Sequence, residues 1–461
     1  MRTSTSIYCA LAALGSANAL RLEKRDNSAV VSFPFEKVDK ITSISPISDS
    51  KRDTGPIEDP IFQDLKQLVY MVELEIGTPS QSISAVFDTG SPNLVIHTTK
   101  DKSCVEPAPN PCSLYGGYDA NASSTYHYED SNFAIEYKDG ESTLGDDATD
   151  NVTLGSAILR DFYIGLQYQT EVLNNVLGAS LTEDEMANSN SGHTNLPQLL
   201  RDQGHIASRA YSVYTDDSNN GSVLFGGVDI DRFHGDLVMI DLLSNPDTHP
   251  PRVTSFAIPL LSVSQFDGNS TTDFERSFPT RVNFDSGTAL TYLDPGQAQS
   301  IWTYVGAVAH FGNLNYATIP CSAAETDRTL DFEFAEVTIK VPLSQYVIWH
   351  DSHNDICVFG IAKGDPEGPF TIGVTTLSSI YVVYDLDNKQ LHLAQAVRNA
   401  ATSNILEIKA GPDGISAVAG LGTVAILAAS EASTLSTSTL TRSPAPSVPR
   451  GSPRSSFERS A

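Results

Sequence analysis

The sequence carries one short pattern twice, as Asp88-Thr89-Gly90-Ser91 and as Asp285-Ser286-Gly287-Thr288. Each copy follows a short apolar or β-branched stretch. A second motif repeats at nearly the same offset: Val176-Leu177-Gly178 ends 90 residues after the first aspartate, and Thr371-Ile372-Gly373 ends 88 residues after the second. This matched spacing indicates that the chain contains two homologous halves.

Strand patterns dominate both halves. Residues Tyr70 to Gly77 alternate in the strand period of two and lead to a turn at Gly77-Thr78-Pro79. The stretches Val337 to Val341 and Ile380 to Tyr384 follow the same pattern. We therefore expect an all-β fold with a few short helices.

One helix is predicted to begin at Pro295. Asp294 is a favourable N-cap residue, and proline suits the first helical position. Ile301, Val305 and Val308 would then lie on one apolar face of this helix.

The two aspartates are candidates for catalysis rather than for turn formation. A single Asp before Ser or Thr and Gly would be read as an Asx-turn or ST-turn, but two copies at matched offsets favour a shared role. The glycine lets the backbone turn tightly and present amides to the carboxylate. If the halves pack about a pseudo-twofold axis, Asp88 and Asp285 become neighbours. They then share one proton, because like charges that close cannot both ionise.

Such a pair can hydrolyse a peptide bond. The ionised carboxylate deprotonates a water molecule while the protonated one donates a hydrogen bond to the carbonyl oxygen. No metal or cofactor is needed, and we predict none. The ten histidines include no HExxH motif, His350 and His353 are interpreted as a loop pair, and no GxSxG motif supports a serine nucleophile.

Further motifs extend the pattern: Asn195-Leu196-Pro197-Gln198-Leu199-Leu200, Tyr211-Ser212-Val213-Tyr214, Phe225-Gly226-Gly227-Val228-Asp229 and Tyr381-Val382-Val383-Tyr384-Asp385-Leu386. With the two Asp loops, they make residues 65–400 resemble the pepsin-family aspartic endopeptidases, in the style of secreted fungal yapsins and candidapepsins. The resemblance implies two β-rich lobes and a long cleft that binds an extended peptide. It also implies a monomer that acts on peptides or proteins. A catalytically silent binding protein of the same fold is the main alternative.

The resemblance assigns a role to each loop residue. Asp88 and Asp285 match the catalytic pair, with Gly90 and Gly287 as their loop glycines. Thr89 and Ser286 match hydroxyls that cross-link the two loops. Ser91 and Thr288 match hydroxyls that bond the outer carboxylate oxygens. Gly178 and Gly373 match glycines that support each aspartate.

A flap over the cleft is also implied by the resemblance. Tyr137 matches the flap tyrosine that closes over the substrate, and Asp139 beside it could favour Lys or Arg near the cleaved bond. Three positions depart from the family pattern. Val95 replaces a common Trp, Lys138 replaces the usual flap Gly, and Val374 occupies a position where Asp is common.

The composition limits the function classes. The chain has 461 residues, with 29 Lys and Arg against 56 Asp and Glu, so its net charge is −27. This length allows two or three domains. Nucleic acid is excluded as an expected partner, because phosphate backbones are bound through Lys and Arg.

The N-terminus is predicted to be processed. Residues 1–19 have the basic start, apolar core and small-residue end of a secretory signal. Dibasic pairs follow at Lys24-Arg25 and Lys51-Arg52, and the Ser-rich stretch between them holds little that could form a core. We expect a secreted zymogen with a pro-segment at residues 20–52.

The remaining boundaries follow from the repeat. We assign residues 53–228 to the N-terminal lobe, 229–400 to the C-terminal lobe and 401–461 to a low-complexity tail. The apolar stretch 415–429 is marginal for a membrane span, and a long Ser/Thr/Pro/Arg-rich stretch follows it. A disordered or O-glycosylated tail is therefore favoured over a surface anchor attached to the membrane or cell wall.

Four cysteines remain after the signal is removed, and three pairings are possible. Neighbour pairing keeps each bridge within one half and predicts Cys104–Cys112 and Cys321–Cys357. The absence of a CxxC motif argues against metal binding by these thiols. Four N-x-[ST] sequons predict exposed, glycosylated turns at Asn121, Asn151, Asn220 and Asn269.

Overall fold

A computed structural model describes the fold in these residues: 29–37, 69–106, 110–136, 142–170, 172–182, 193–215, 220–274, 278–310, 314–351, 356–366, 368 and 370–415. The predictions for the signal segment, both dibasic sites and the chain beyond residue 415 lie outside the described residues.

The strands of the first half, in chain order, are β1 (Val31–Lys37), β2 (Tyr70–Ile76), β3 (Gln81–Asp88), β4 (Leu94–His97), β5 (His127–Glu136), β6 (Ser142–Leu154), β7 (Ala157–Thr170), β8 (Asn175–Gly178), β9 (Ala210–Thr215), β10 (Asn220–Phe225) and β11 (Gly227–Asp229).

The strands of the second half are β12 (Phe233–Asp241), β13 (Ala257–Leu260), β14 (Ser262–Phe266), β15 (Thr271–Asp273), β16 (Thr280–Phe284), β17 (Thr291–Leu293), β18 (Val308–Ala309), β19 (Ala317–Pro320), β20 (Thr329–Phe334), β21 (Val337–Pro342), β22 (Val347–Asp351), β23 (Ile356–Phe359), β24 (Ile361–Lys363), β25 (Phe370–Ile372), β26 (Ile380–Asp385), β27 (Gln390–Ala396) and β28 (Ile405–Glu407).

The helices of the described chain are short: α1 (Lys102–Val105), α2 (Pro111–Tyr115), α3 (Leu196–Asp202), α4 (Pro295–Val305) and α5 (Val374–Leu377). Strands therefore form most of the regular structure, which confirms the predicted all-β class. In the part of the chain that the structure describes, no helix is long and apolar enough to cross a membrane.

One large sheet joins the two halves, with the strand order β12-β27-β26-β9-β10-β1-β2-β3-β8-β4-β7-β6-β5. Strand β26 of the second half pairs with β9 of the first half over Val382↔Val213 to Asp385↔Ala210. The predicted lobe boundary after residue 228 falls inside β11. It is not a linker, because strands from both halves share this sheet.

The two halves repeat one local arrangement of strands. Strand β3 runs parallel to β8 in the first half, and β16 runs parallel to β25 in the second half. β16 and β25 belong to a five-stranded sheet with the order β13-β16-β25-β17-β24. The repeated motifs that ended at Gly178 and Gly373 therefore lie beside the strands that lead to Asp88 and Asp285.

Strand β1 lies within the expected pro-segment. It fills an interior place in the large sheet, between β10 and β2. Val31, Phe33 and Phe35 are buried in the main core. This stretch, which we did not expect to form a core by itself, contributes Val31, Phe33 and Phe35 to a core that other strands share.

Strand β28 lies within the expected tail. It pairs antiparallel with β11, and Leu406, Ile408 and Ile415 are buried. The predicted start of the tail at residue 401 is therefore too early. Ile408 and Ile415 pack in a second core cluster with residues of the large sheet, and the described fold continues to residue 415.

The local predictions mostly agree with the structure. The predicted strands match β2, β21 and β26, and the Asp294 side chain caps α4 by accepting from the N–H groups of Gly296 and Gln297. Val308 was placed wrongly on the apolar helix face, and it is 66% exposed. Helix α4 ends at Val305 because Gly306 adopts a left-handed conformation with φ of 84°.

Both predicted disulfides are present, between Cys104 and Cys112 and between Cys321 and Cys357.

Three of the four sequon asparagines are exposed: Asn121, Asn220 and Asn269. The turn prediction is wrong for Asn220, which begins β10, and for Asn151, which is half-buried within β6. Asn151 lies at an irregularity in the pairing of β6 with β7, between Asp150 and Val152.

Candidate active site

Asp88 is the last residue of β3 and lies opposite Gly178 of the parallel strand β8. The loop that follows turns back over its carboxylate. The Gly90 N–H donates to Oδ1 over 2.7 Å, and the Ser91 hydroxyl donates to Oδ2 over 2.5 Å. Both oxygens of Asp88 are thus held by its own loop.

Asp285 follows β16 and is held in the same way. The Gly287 N–H donates to Oδ1 over 2.9 Å, and the Thr288 hydroxyl donates to Oδ2 over 2.8 Å. The two loops therefore use the same kinds of donor in the same order, as the repeated sequence predicts.

Thr89 and Ser286 cross-link the two loops, as predicted, and both are buried. The Ser286 N–H donates to Thr89 Oγ1 over 3.0 Å, and the Thr89 N–H donates to Ser286 Oγ over 3.1 Å. The Thr89 hydroxyl donates to the Phe284 carbonyl over 3.1 Å, and the Ser286 hydroxyl donates to the Phe87 carbonyl over 2.6 Å. These bonds fix the position of one aspartate relative to the other.

Gly90 and Gly287 bring the carboxyl groups together. A Cβ atom on Gly90 would lie 2.7 Å from Asp285 Cγ, and one on Gly287 would lie 2.4 Å from Asp88 Oδ1. Each carboxyl group thus packs against the glycine of the opposite loop, where a side chain does not fit. The two carboxyl groups are therefore close enough for the charge of Asp285 to raise the pKa of Asp88.

This proximity controls the protonation of the pair. Burial and then the charge of Asp285 raise the pKa of Asp88 well above the ordinary range of an aspartic acid, although the bonds from Ser91 and Gly90 oppose the shift. The pair keeps a shared proton at pH values where a lone aspartate is ionised.

Gly178 and Gly373 support the loops through close backbone contacts. A Cβ atom would lie 2.5 Å from the Ser91 carbonyl oxygen at Gly178, and 2.6 Å from the Thr288 carbonyl oxygen at Gly373. The residue after Gly178 also fixes the first loop, because the Ala179 N–H donates to the Asp88 carbonyl over 2.8 Å. Only glycine allows the supporting strands to approach this closely.

The β5–β6 hairpin leads to the predicted flap. Its last described pair is Glu136 opposite Ser142. Tyr137, Lys138 and Asp139 lie outside the described residues, so their roles in the flap stay predictions.

Val95 and Val374, the two other departures from the family pattern, are both buried. Val95 packs in a small apolar cluster with Phe133, Tyr163 and Val176. Val374 begins α5 directly after Gly373 and belongs to the main core. Both substitutions therefore give closely packed apolar positions beside the loops.

Two buried tyrosines near the pair received no role from the sequence. The rings of Tyr211 and Tyr384 stack with their centroids 4.8 Å apart, and the Tyr211 hydroxyl donates to the Ala179 carbonyl over 3.0 Å. Burial raises the pKa of Tyr211 well above its usual range, and the charge of Asp88 adds to this shift. In the sequence, the two tyrosines stood out only as members of two of the motifs quoted above. Those motifs do not reveal that the two rings stack.

Comparisons with known proteins agree with this geometry. A family model described as eukaryotic aspartyl protease matches residues 69–396. The probable aspartic-type endopeptidase opsB of Aspergillus oryzae is 32% identical over 419 residues, which cover 87% of this chain and 83% of that protein. An acid protease of Saccharomycopsis fibuligera is 29% identical over 389 residues, or 82% of this chain and 95% of that protein.

A third relative is the secreted aspartic protease 7 of Candida albicans, which is 30% identical over 370 residues, or 73% of this chain and 61% of that protein. The matched family region runs from just before β2 to the end of β27, so it includes both aspartate loops. From this coverage we conclude that the chain belongs to the eukaryotic aspartyl proteases, the pepsin family of bilobal aspartic-type endopeptidases.

Proposed function

We propose that Asp88 and Asp285 are the catalytic pair of this endopeptidase. The observation that carries the proposal is that two similar loops hold these carboxyl groups in equivalent positions, with each carboxyl group packed against the glycine of the opposite loop. The ionised carboxylate takes a proton from a water molecule, whose oxygen attacks the peptide carbonyl carbon. The protonated carboxyl donates a hydrogen bond to the carbonyl oxygen, and a proton then passes to the leaving amine.

The test is hydrolysis of a denatured protein substrate by the processed protein, with Asp88→Asn, Asp285→Asn and a statine-type inhibitor as separate treatments. Each treatment is expected to abolish turnover. Peptide binding without hydrolysis by the unmodified protein would instead support the silent binding protein. Activity that survives all three treatments would contradict the catalytic assignment.

The shared proton sets the alkaline limit of activity. The raised pKa of Asp88 keeps one proton on the pair in acid. As the pH rises, that proton is lost and the carbonyl oxygen loses its hydrogen-bond donor. We expect kcat/KM to be highest in acid and to fall toward alkaline pH, which a pH profile on one peptide measures.

A preference for basic residues near the cleaved bond is the finer part of the proposal, with Tyr137 as the flap tyrosine. The net charge of −27 supports it, as do Glu129 and Asp130, which are exposed on the flap strand β5. Cleavage of a peptide library should be enriched in Lys or Arg near the bond, and the enrichment should weaken at high salt. No enrichment at either ionic strength would discard this preference.

Activation by a cut after Arg52, at the end of the expected pro-segment 20–52, is supported by the dibasic pair Lys51-Arg52. A cut after Arg52 would leave β1 held in the large sheet by non-covalent contacts alone. We expect the double variant Lys51→Ala with Arg52→Ala to accumulate as a longer, poorly active form. Full activity of the uncut chain would contradict the zymogen proposal.

Secretion is supported by the signal pattern at residues 1–19, by the two disulfides and by the secreted Candida relative. Export to the medium, with a mobility shift after N-glycosidase treatment, is the expected result. Release from cells only after phospholipase treatment would favour a surface anchor instead.

A further inference from the structure

A buried amide lies two residues before Asp285. Asn283 is only 2% exposed, and its Oδ1 has no hydrogen-bond partner among the described residues. Val282 and Phe284 on either side belong to the main core. Because side chains alternate along a strand, Asn283 faces away from that core. Asp285, two residues later, lies on the same side as Asn283.

Asn283 belongs to a row of residues that crosses the five-stranded sheet beside the catalytic pair. The backbone register fixes this row, because paired residues on neighbouring strands share a face. Its members, from β13 to β17, are Ala257, Asn283, Thr371 and Tyr292. The row thus contains an amide and a hydroxyl next to the small Ala257.

The same row exists in the first half of the chain and is apolar. Its members, from β2 to β4, are Met71, Val86, Val176 and Val95. Val86 lies two residues before Asp88, as Asn283 does before Asp285. The two sides of the catalytic pair therefore have equivalent backbones and different chemistry, with Val86 corresponding to Asn283.

An unpaired buried carbonyl oxygen is unfavourable, because folding removes its water without supplying a donor. Valine at the equivalent position of the other half avoids this cost. A substrate side chain that donates a hydrogen bond would satisfy Asn283, whereas an apolar side chain would leave it unpaired. Sites built around such a group discriminate strongly against analogues that lack the donor.

We propose that Asn283 is a specificity-determining residue that selects a hydrogen-bond donor in the substrate. The selected side chain lies at one of the two positions that flank the cleaved bond, and it donates to Asn283 Oδ1. Glutamine, asparagine and lysine have suitable side chains. The other flanking position, against Val86, takes an apolar side chain. This inference rests on the proposed catalytic role of Asp88 and Asp285, because they define which bond is cleaved.

The test is competition between two peptides in one tube, which differ by Gln or Met at a flanking position. The two side chains are similar in size and both neutral, so charge attraction does not contribute. For the unmodified enzyme we expect about a tenfold preference for Gln at one flanking position and for Met at the other. The ratio of products is independent of how much enzyme is folded.

Two variants of similar shape identify the residue responsible. Asn283→Val is expected to abolish the preference for Gln, whereas Asn283→Thr replaces the amide oxygen by a hydroxyl oxygen, which also accepts a hydrogen bond, and should retain part of the preference. Val86→Thr is the matched control in the other half. It should weaken the preference for Met at its own position and leave the Gln preference unchanged.

Three results would overturn the inference. Equal cleavage of Gln and Met peptides at both positions would mean that Asn283 binds no substrate donor. A Gln preference that Asn283→Val leaves intact would assign it to another residue. A complete lack of cleavage by the unmodified enzyme would overturn the proposed function and this inference with it. The first two results leave cleavage intact and overturn this inference alone.

Discussion

The two aspartate loops are alike in the bonds that hold the carboxylates and differ in their immediate surroundings. Each carboxylate accepts from a glycine N–H and from a hydroxyl three residues later. Two residues upstream, however, Val86 stands in one half and Asn283 in the other. The comparison teaches that the two halves share the hydrogen bonds that hold the carboxylates, while a neighbouring position has diverged from valine to asparagine.

The largest effect is expected from breaking the symmetry at the carboxylates. Asp88→Asn and Asp285→Asn should each lower kcat by about 10²–10⁴-fold, because either change removes the acid–base pair. The double variant should be little worse than either single variant, since residues that act as a unit are not additive. If the loss of kcat in the double variant equals the product of the two single losses, the two carboxyl groups act independently, which would contradict their action as a pair.

The glycines offer the next comparison between the loops. Gly90→Ala and Gly287→Ala place a Cβ atom 2.7 Å from Asp285 Cγ and 2.4 Å from Asp88 Oδ1. Displacement of a reacting group by a fraction of its contact distance can cost about 10²-fold in rate, so we expect losses in kcat of that order. Gly287→Ala should be the more severe variant.

Gly296→Ala in α4 is the control for these glycine variants. A Cβ atom there would meet only Asp294 Oδ1, at 3.1 Å, so kcat should be unchanged. Equal activities of Gly90→Ala, Gly287→Ala and Gly296→Ala would contradict the close approach of the two loops.

The cross-link provides a smaller effect, on stability. Thr89→Val and Ser286→Ala each remove a hydroxyl and leave a buried N–H of the opposite loop without its acceptor. Each should lower the free energy of unfolding by about 1–3 kcal/mol, as measured by denaturant titration. The near-symmetry of the bonds predicts similar losses. An unchanged free energy for either variant would contradict the cross-link.

The smallest effect concerns how stability depends on pH. Because the pKa of Asp88 is raised in the folded protein, the folded state binds protons more tightly than the unfolded state. Its stability contribution is therefore complete below the ordinary aspartate pKa of about 3.9 and is lost as the pH rises through the raised value. Asp88→Asn should flatten this decline in urea titrations over that range. A decline equally steep in the variant would place its cause elsewhere.

The sequence predicted those parts of the site that depend on local chemistry. The repeated tetrapeptides predicted both carboxylates, their hydroxyl donors and the loop glycines, because each of these positions needs a carboxylate, a hydroxyl or no side chain at all. The cap at Asp294 and both disulfides were predictable for a similar reason. Cysteine spacing and capping chemistry are short-range signals.

Features that depend on distant packing were not predictable in this way. Strand β1 is short and flanked by Ser-rich sequence, and it becomes a strand because β10 and β2 leave a place between them. Strand β28 is likewise stabilised by its pairing with the distant strand β11 and by the burial of Leu406. Val308 fits the helical period, but the helix ends before reaching it.

The central claim is that one proton and one water molecule are shared by carboxyl groups from the two halves. Neutron diffraction from deuterium-exchanged crystals at acidic pH tests it most directly. The account predicts a single deuteron between Asp88 and Asp285 and a water molecule within hydrogen-bonding distance of both. A deuteron on each carboxyl group, none on either, or carboxyl groups with no common water would contradict it.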